Sequence, residues 1–432
     1  MKPTSPTRRG FLRTLAAAGV ASPLLARAER LEAEVTSTLS GLAFRAASPP
    51  SLHRLRAQYL LLDGLTYLNH ASIGTVPIAV HQAHTGYLEL CESHPSLYVW
   101  GSVWRDVTED TRRAAAALIR CEPDDLAITH NTTEGFNILA HGLPLRDGDE
   151  VLFSSLNHPG ASVAWRALSA RGGFSVRSFD FPLTRGAEMT VDEVVALHTD
   201  EIRGETRVLV IPHVDNMIGM THPLRAIADA AKERGVEFVV VDGAQSAGMV
   251  PVDLSEAGVD AYAMSPHKWI QSPKGLGLFW ISRALQAVVP RMWFRTPGER
   301  IEGSARKYED YSTRAWPAVV ALGDALAFQA SIGESEKQRR YRALWARVHD
   351  RAEAERVLTW RSPREPELRS VIMAVEVGGV AAPDFGASLL RDHRTVVRAF
   401  GAPLNTLRVS PNVMTPDSQL DGFLDALVAA GS

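Results

Sequence analysis

Between residues 126 and 281 the chain alternates short apolar runs with longer stretches of helical spacing. The runs are Leu126–Thr129, Val151–Ser154, Phe174–Phe179, Val208–Pro212, Phe238–Val241, Ala261–Met264 and Leu276–Ile281. They are short for helices, and stretches such as VVV and VLVI are apolar at consecutive positions, as expected of strands covered on both faces. Seven runs with helices between them predict an α/β domain around a mainly parallel sheet. The last two runs are too close for a helical crossover, so at least one strand there is expected to be antiparallel.

Outside this region the period changes. Glu29–Leu60 reads as a helical, Ala- and Arg-rich lead-in broken at Pro49-Pro50, and residues 78–120 read as helices, with Arg112–Ile119 the best patterned. Asp324 to Glu355 is again helical. Mixed elements follow at Ser370–Val377, Val396–Ala399 and Thr406–Val409, then an amphipathic helix from Ser418 to Ala430. This organisation predicts an N-terminal segment over 29–77, a large α/β domain over 78–323 and a smaller α+β domain over 324–432. The sequence contains no internal repeat and no low-complexity segment.

Composition changes this picture little. With 45% hydrophobic and 22% charged residues and a formal charge of −3, the 432-residue chain has a globular composition and no basic excess that would suit nucleic acid. No run reaches the ~18 apolar residues of a membrane span. The two cysteines, Cys91 and Cys121, are too few for a disulfide framework and fit no metal spacing. The N-terminus adds more. Thr7-Arg8-Arg9-Gly10-Phe11-Leu12-Arg13, an Ala-rich apolar stretch and Ala26-Arg27-Ala28 read as a twin-arginine signal with a cleavage site. Residues 1–28 carry five basic residues and no acid, so their removal would take the formal charge to −8. An exported, extracytoplasmic protein that folds around a cofactor before translocation is the expectation.

In open α/β sheets ligands bind beyond the carboxyl ends of the strands, so the residues following each run are the candidates. Asn131 with Glu134 reads as a capping box, and Thr132 and Thr133 at that helix start would offer an anion site. His158 follows the second run and could stack on a ring, act as acid or base, or simply be solvated. Asn216, in HVDN, could donate to a phenolic oxygen or belong to a turn before Gly219. Asp242 ends VVVD, where a carboxylate needs a partner, and Gln245 follows it. Ser265, His267 and Lys268 end the Ala261–Met264 run. An Asp at one strand end and a Lys at the next suit pyridoxal 5′-phosphate, the Lys as Schiff base and the Asp on the pyridinium nitrogen. Upstream, Asn69, His70 and Ala71 lie in a small-residue loop after an apolar strand, which fits both a substrate-facing loop and a plain turn.

These motifs together resemble the class V aminotransferase family of pyridoxal-phosphate enzymes, fold type I, from Thr66 to the C-terminus. NTTEGFN is similar to the family's phosphate-binding segment (Thr132, Thr133), NHPG to the segment whose His stacks on the ring (His158), and HVDN to its Asn segment (Asn216). VVDGAQSAG is very close to the family's pattern (Asp242, Gln245), and SPHKW is similar to its phosphate and Schiff-base segment (Ser265, His267, Lys268). The resemblance further implies that Thr313 reaches the phosphate in a partner subunit of a homodimer, with sites at the subunit interface, and that Arg408 in LRVSPN binds the α-carboxylate of an amino-acid substrate. YLNHASIG most resembles the isopenicillin N epimerase-like branch, which places Asn69, His70 and Ala71 near substrate.

The implied function is an enzyme acting at the α-carbon of an amino acid, aminotransferase- or epimerase-like, with a Cβ–S lyase and a non-catalytic member of the same fold as alternatives. Two departures bear on it. Cysteine desulfurases carry a nucleophilic Cys shortly before the carboxylate Arg, and no Cys lies between Val396 and Arg408. The Gly usual before the cross-subunit Thr is Ser312 here. A Ser/His/Asp hydrolase is not supported, since the sequence has no G-x-S-x-G.

Overall fold

The computed structural model describes residues 22–44, 52–97, 103–295 and 301–432. The twin-arginine motif and Pro49-Pro50 lie outside the described residues. Ala26-Arg27-Ala28 lies in the helix Ser22–Leu42, and the lead-in continues as a short 3-10 turn, Leu52–Gln58.

In chain order the strands are β1 (Thr66–Tyr67), β2 (Leu126–Thr129), β3 (Glu150–Ser154), β4 (Ser175–Phe179), β5 (Thr206–Pro212), β6 (Phe238–Asp242), β7 (Ala261–Met264), β8 (Gly277–Ile281), β9 (Leu358–Trp360), β10 (Met373–Val377), β11 (Thr395–Val396), β12 (Arg398–Phe400) and β13 (Thr406–Val409). The large sheet has seven strands in the order β2-β8-β7-β6-β5-β3-β4. Only β8 runs against its neighbours, pairing antiparallel with both β2 and β7. The other six therefore deliver their carboxyl ends to one edge.

The continuous apolar runs are continuous because both sheet faces are covered. Along β5, Val208 and Val210 enter one core while Leu209 and Ile211 enter the other; along β6, Phe238 and Val240 divide from Val239 and Val241 in the same way. Side chains alternate with a period of two, so a strand feeding two cores has no polar side. One face is covered by the helices Thr132–Gly142 and Pro159–Gly172, which contribute Phe136, Ile138, Leu139 and Trp165. Helices on the other face include Leu224–Glu233, whose Ile227, Ala228 and Ala231 are buried.

The C-terminal part holds a four-stranded antiparallel sheet in the order β12-β13-β10-β9. The run expected as one strand at Val396–Ala399 is split. Thr395 and Val396 pair in parallel with β1, whereas Arg398–Phe400 joins the four-stranded sheet. The stretch expected as Ser370–Val377 starts its strand only at Met373; Ser370 instead donates to the Gly219 carbonyl at 2.6 Å. The helix Trp316–Ile332 spans residues 323 and 324, so a division there would cut it. Through β1 the chain around residues 66–74 lies against the C-terminal part. Its Asn69 bridges to Ser410, and Gly74 N–H donates to the His267 carbonyl at 3.1 Å.

Candidate active site

The carboxyl edge of the large sheet and the face of β12-β13 enclose one cleft of about 560 Å³. Ala71, Ser72, His158, Asn216, Gln245, Lys268, Arg398, Phe400 and Arg408 line it, and Asp242 lines a small recess below, shared with His158, Asn216, Gln245 and Lys268.

Lys268 sits in the turn that follows β7, where its N–H donates to the Ser265 carbonyl at 3.1 Å. Burial pushes its amine down to about 8; Asp242 opposes this and Arg408 adds to it. Asp242 ends the apolar strand β6, buried, with one backbone N–H, that of Ala244, donated to Oδ1 at 3.0 Å. Burial raises its pKa, while Ala244, Lys268 and His158 hold it back. A carboxylate in this position favours a hydrogen-bonding cation directly above it.

His158 caps the helix Pro159–Gly172, its Nδ1 accepting from Gly160 N–H at 3.1 Å. That bond leaves Nε2 as the protonated nitrogen of the neutral ring. Desolvation against the cleft wall lowers its pKa, opposed by Asp242 and reinforced by Lys268 and Arg408.

At the start of the helix Thr132–Gly142, Asn131 Oδ1 accepts from Glu134 N–H at 2.9 Å, as the capping pattern anticipates. The return bond differs, because Glu134 Oε2 accepts from His130 N–H at 2.6 Å and not from the capping residue. Beside that helix start the buried hydroxyls of Thr132 and Ser265 lie 2.7 Å apart. Thr133 is exposed next to them. His267 Nδ1 is buried without a hydrogen-bond partner among the described residues, and burial lowers its pKa to about 4, with Lys268 and Lys274 adding. Two hydroxyls, a neutral imidazole and a helix N-terminus are suitable ligands for a phosphate.

Asn216 lies in a turn held by Asp215, whose carboxylate accepts from the N–H groups of Met217, Ile218 and Met220. Gly219 closes this turn at φ 72°, and a Cβ there would lie 1.9 Å from the Ile372 carbonyl oxygen. The turn is thereby wedged against the C-terminal part. The Asn216 carbonyl accepts from Arg408 Nη1 at 2.9 Å, and Arg408 Nη2 donates to Asn69 Oδ1 and Ser72 Oγ, both at 2.6 Å. Arg408 is buried and forms no ion pair with a carboxylate among the described residues; burial lowers its pKa to about 10, with Arg398 adding and Asp215 and Tyr67 opposing.

Asn69, Thr132, Thr133, Ser265 and His267 lie outside the cleft lining, and three further expected residues have placements of their own. His70 is buried, edge-on to Tyr67 and tilted against Trp269, and does not line the cleft; the loop turns it inward while Ala71 and Ser72 face the cleft. Gln245 lines the cleft, but its amide N–H donates to the Ala71 carbonyl at 2.8 Å and its oxygen accepts from Trp269 Nε1 at 2.9 Å, so it braces the loop. Thr313 lies in a second cleft with Tyr311 and Arg314, outside the lining of the first. The structure adds Ser72, Arg398 and Phe400 to the cleft lining. Ser72 belongs to the YLNHASIG segment but is not singled out in it, Arg398 and Phe400 sit in no motif that marks chemistry, and cross-strand pairing and loop closure bring the three in.

Residues 66–406 match aminotransferase class-V. The chain belongs to this family. It is 27% identical to isopenicillin N epimerase of Streptomyces clavuligerus over 396 residues, 87% of this chain and 97% of that protein. It is 31% identical to a probable cysteine desulfurase of Pseudomonas aeruginosa over 301 residues, 66% and 72% of the two. Its fold is shared with the cystine C–S lyase C-DES, solved with its reaction product cysteine persulfide, at a TM-score of 0.76 and 23% identity, covering 85% of this chain and 98% of that one. The chain is thus a pyridoxal-phosphate enzyme of fold type I, and the groups around the cleft fit that cofactor. The Thr132–Ser265 hydroxyl pair suits its phosphate, the singly bonded Asp242 its ring nitrogen, and the Lys268 amine its aldehyde.

Proposed function

We propose that this enzyme moves a proton at the α-carbon of an amino acid, with an epimerase- or aminotransferase-like outcome and no sulfur relay. Bound in the cleft, pyridoxal 5′-phosphate supplies an electron sink for the carbanion formed at that carbon. The chain's own residues do the rest. Arg408 binds the α-carboxylate through a guanidinium already oriented by Asn69, Ser72 and the Asn216 carbonyl. Lys268, with its amine lowered to about 8, takes up and returns the α-proton near neutral pH. Asp242 would hold a proton on the cofactor's ring nitrogen, and His158 would lie against the ring. Thr132, Thr133, Ser265 and His267 hold the phosphate, and Thr313 serves the partner subunit of a homodimer.

The observation that carries this reading is the convergence of Lys268, Asp242 and Arg408 on one cleft without a thiol. Cys91 is buried in the helix Ile78–Ser93, and burial with Asp125 and Glu122 pushes Cys121 up to about 12; neither lines the cleft. The test is incubation of the loaded enzyme with single-enantiomer amino acids in D₂O. Loss of the α-proton, with racemised or keto-acid product, is the expected result. Release of pyruvate and a sulfur product from cystine would replace this reading with β-elimination. Borohydride should trap the cofactor on Lys268, and a protein that takes up none refutes the proposal. We also propose export by the twin-arginine route, from the Arg8-Arg9 motif.

A further inference from the structure

β12 and β13 are antiparallel, and their register places Arg398 directly opposite Arg408. Directly opposed residues share a sheet face, and like charges there destabilise the sheet. Both guanidinium groups approach the ring of Phe400, Arg398 at 5.6 Å and Arg408 at 5.9 Å from its centroid. The two charges are therefore no further apart than those distances together. Both line the cleft, and among its described lining residues there is no Asp or Glu. Arg408 has neutral oxygens as its partners, and Arg398 forms no ion pair among the described residues. The nearby Asp215 carboxylate favours the charged Arg408 but already accepts from three backbone N–H groups. Two cations lining one substrate cleft, neither in an ion pair among the described residues, suit an anionic ligand with two acidic ends.

We propose that Arg398 is a specificity-determining residue that binds a second, side-chain carboxylate, so that the substrate class is the acidic α-amino acids. The inference rests on the proposed function only for which carboxylate Arg408 takes. Phe400 lies within 6 Å of both guanidinium groups, between the two binding positions. Arg408 holds the α-carboxylate near Lys268, and Arg398, at the more exposed end, takes the distal one. The acidic side chain then reaches from the held Arg408 toward the exposed Arg398.

The experiment is calorimetric titration of the purified, cofactor-loaded protein with glutarate and with butyrate, neither of which carries an amine to react. Wild type should bind glutarate at least about tenfold more tightly than butyrate, the margin expected of one charge-assisted contact. In Arg398→Gln that margin should vanish while butyrate affinity holds, and Arg398→Lys should keep part of it. Turnover should follow the same pattern, with 2-aminoadipate, glutamate and aspartate preferred over norvaline and alanine in KM and the preference lost in Arg398→Gln. A wild type that binds both acids equally overturns the proposal. So does an Arg398→Gln variant that loses both acids in parallel, since the two arginines would then share one carboxylate. If the protein binds cofactor and processes neutral amino acids without this margin, the inference alone fails. If it takes up no cofactor, the proposed function fails, and the same titration of the cofactor-free protein still decides this one.

Discussion

Replacing Lys268 with methionine should stabilise the cofactor-free protein, and the gain should depend on pH in a defined window. The Lys268 amine has a pKa of about 8 in the folded chain against an ordinary 10.5, because burial disfavours the ammonium more than Asp242 favours it. The unfolded chain therefore holds this proton up to about 10.5, and the folded chain releases it near 8. The folded state carries the full cost below pH 8 and regains stability as pH rises from about 8 to about 10.5. The difference between the two values corresponds to about 3 kcal/mol, an upper bound because Lys268 keeps some contact with solvent. The substitution also leaves Asp242 without its cation, so the expected gain at pH 7 is about 1–3 kcal/mol. Urea unfolding of the cofactor-free wild type and Lys268→Met between pH 7 and 10.5 measures it, and the two curves should converge toward the upper end. Labelling gives an independent reading. At pH 7 about 9% of such an amine is neutral against about 0.03% of an ordinary lysine, so the pH dependence of Lys268 labelling should have its midpoint near 8 and not near 10.5. A stability difference that stays constant across the window, or a labelling midpoint near 10.5, would refute the reasoning.

Other expectations follow from single contacts. Gly74→Ala places a Cβ 2.0 Å from the Lys268 carbonyl oxygen and 2.5 Å from that of His267, both backbone atoms. It should displace the Lys268 turn and cost about 2 kcal/mol or more with loss of cofactor retention, read by thermal unfolding and visible absorbance. Glu309→Gln removes the carboxylate that Arg112 and Arg314 share and that accepts from Ile128 N–H, all buried, and should cost about 3 kcal/mol in urea unfolding. Arg8→Lys with Arg9→Lys should leave the protein in the cytoplasm, as fractionation would show; unchanged localisation would remove the export reading.

The large sheet was legible because its signal is local. An apolar run such as VVVD is apolar throughout because each residue enters one of two cores, and the chemical groups of the sheet lie at run ends, where Asp242 and Lys268 could be found by position alone. Export of the N-terminus and the subunit arrangement around Thr313 are expectations of a different kind, resting on motifs whose structural context lies outside one chain's cleft.

The C-terminal part was less legible for the opposite reason. Residues 395–400 form two strands in two sheets, and nothing in the local pattern separates Val396 from Arg398. His70 sits in the loop marked for substrate but turns inward, while Ser72 beside it reaches Arg408. A loop's sequence specifies where the chain turns; which side chains face the cleft depends on what packs behind them, here Trp269 and Gln245. The sequence by itself therefore determined the cofactor and the strand ends at which Asp242 and Lys268 stand. Tertiary structure alone decided that Asn69, Ser72 and the Asn216 carbonyl orient Arg408, and that Arg398 stands opposite it. The three contacts of Arg408 join segments more than 150 residues apart in the chain, and only folding brings such segments within hydrogen-bonding range.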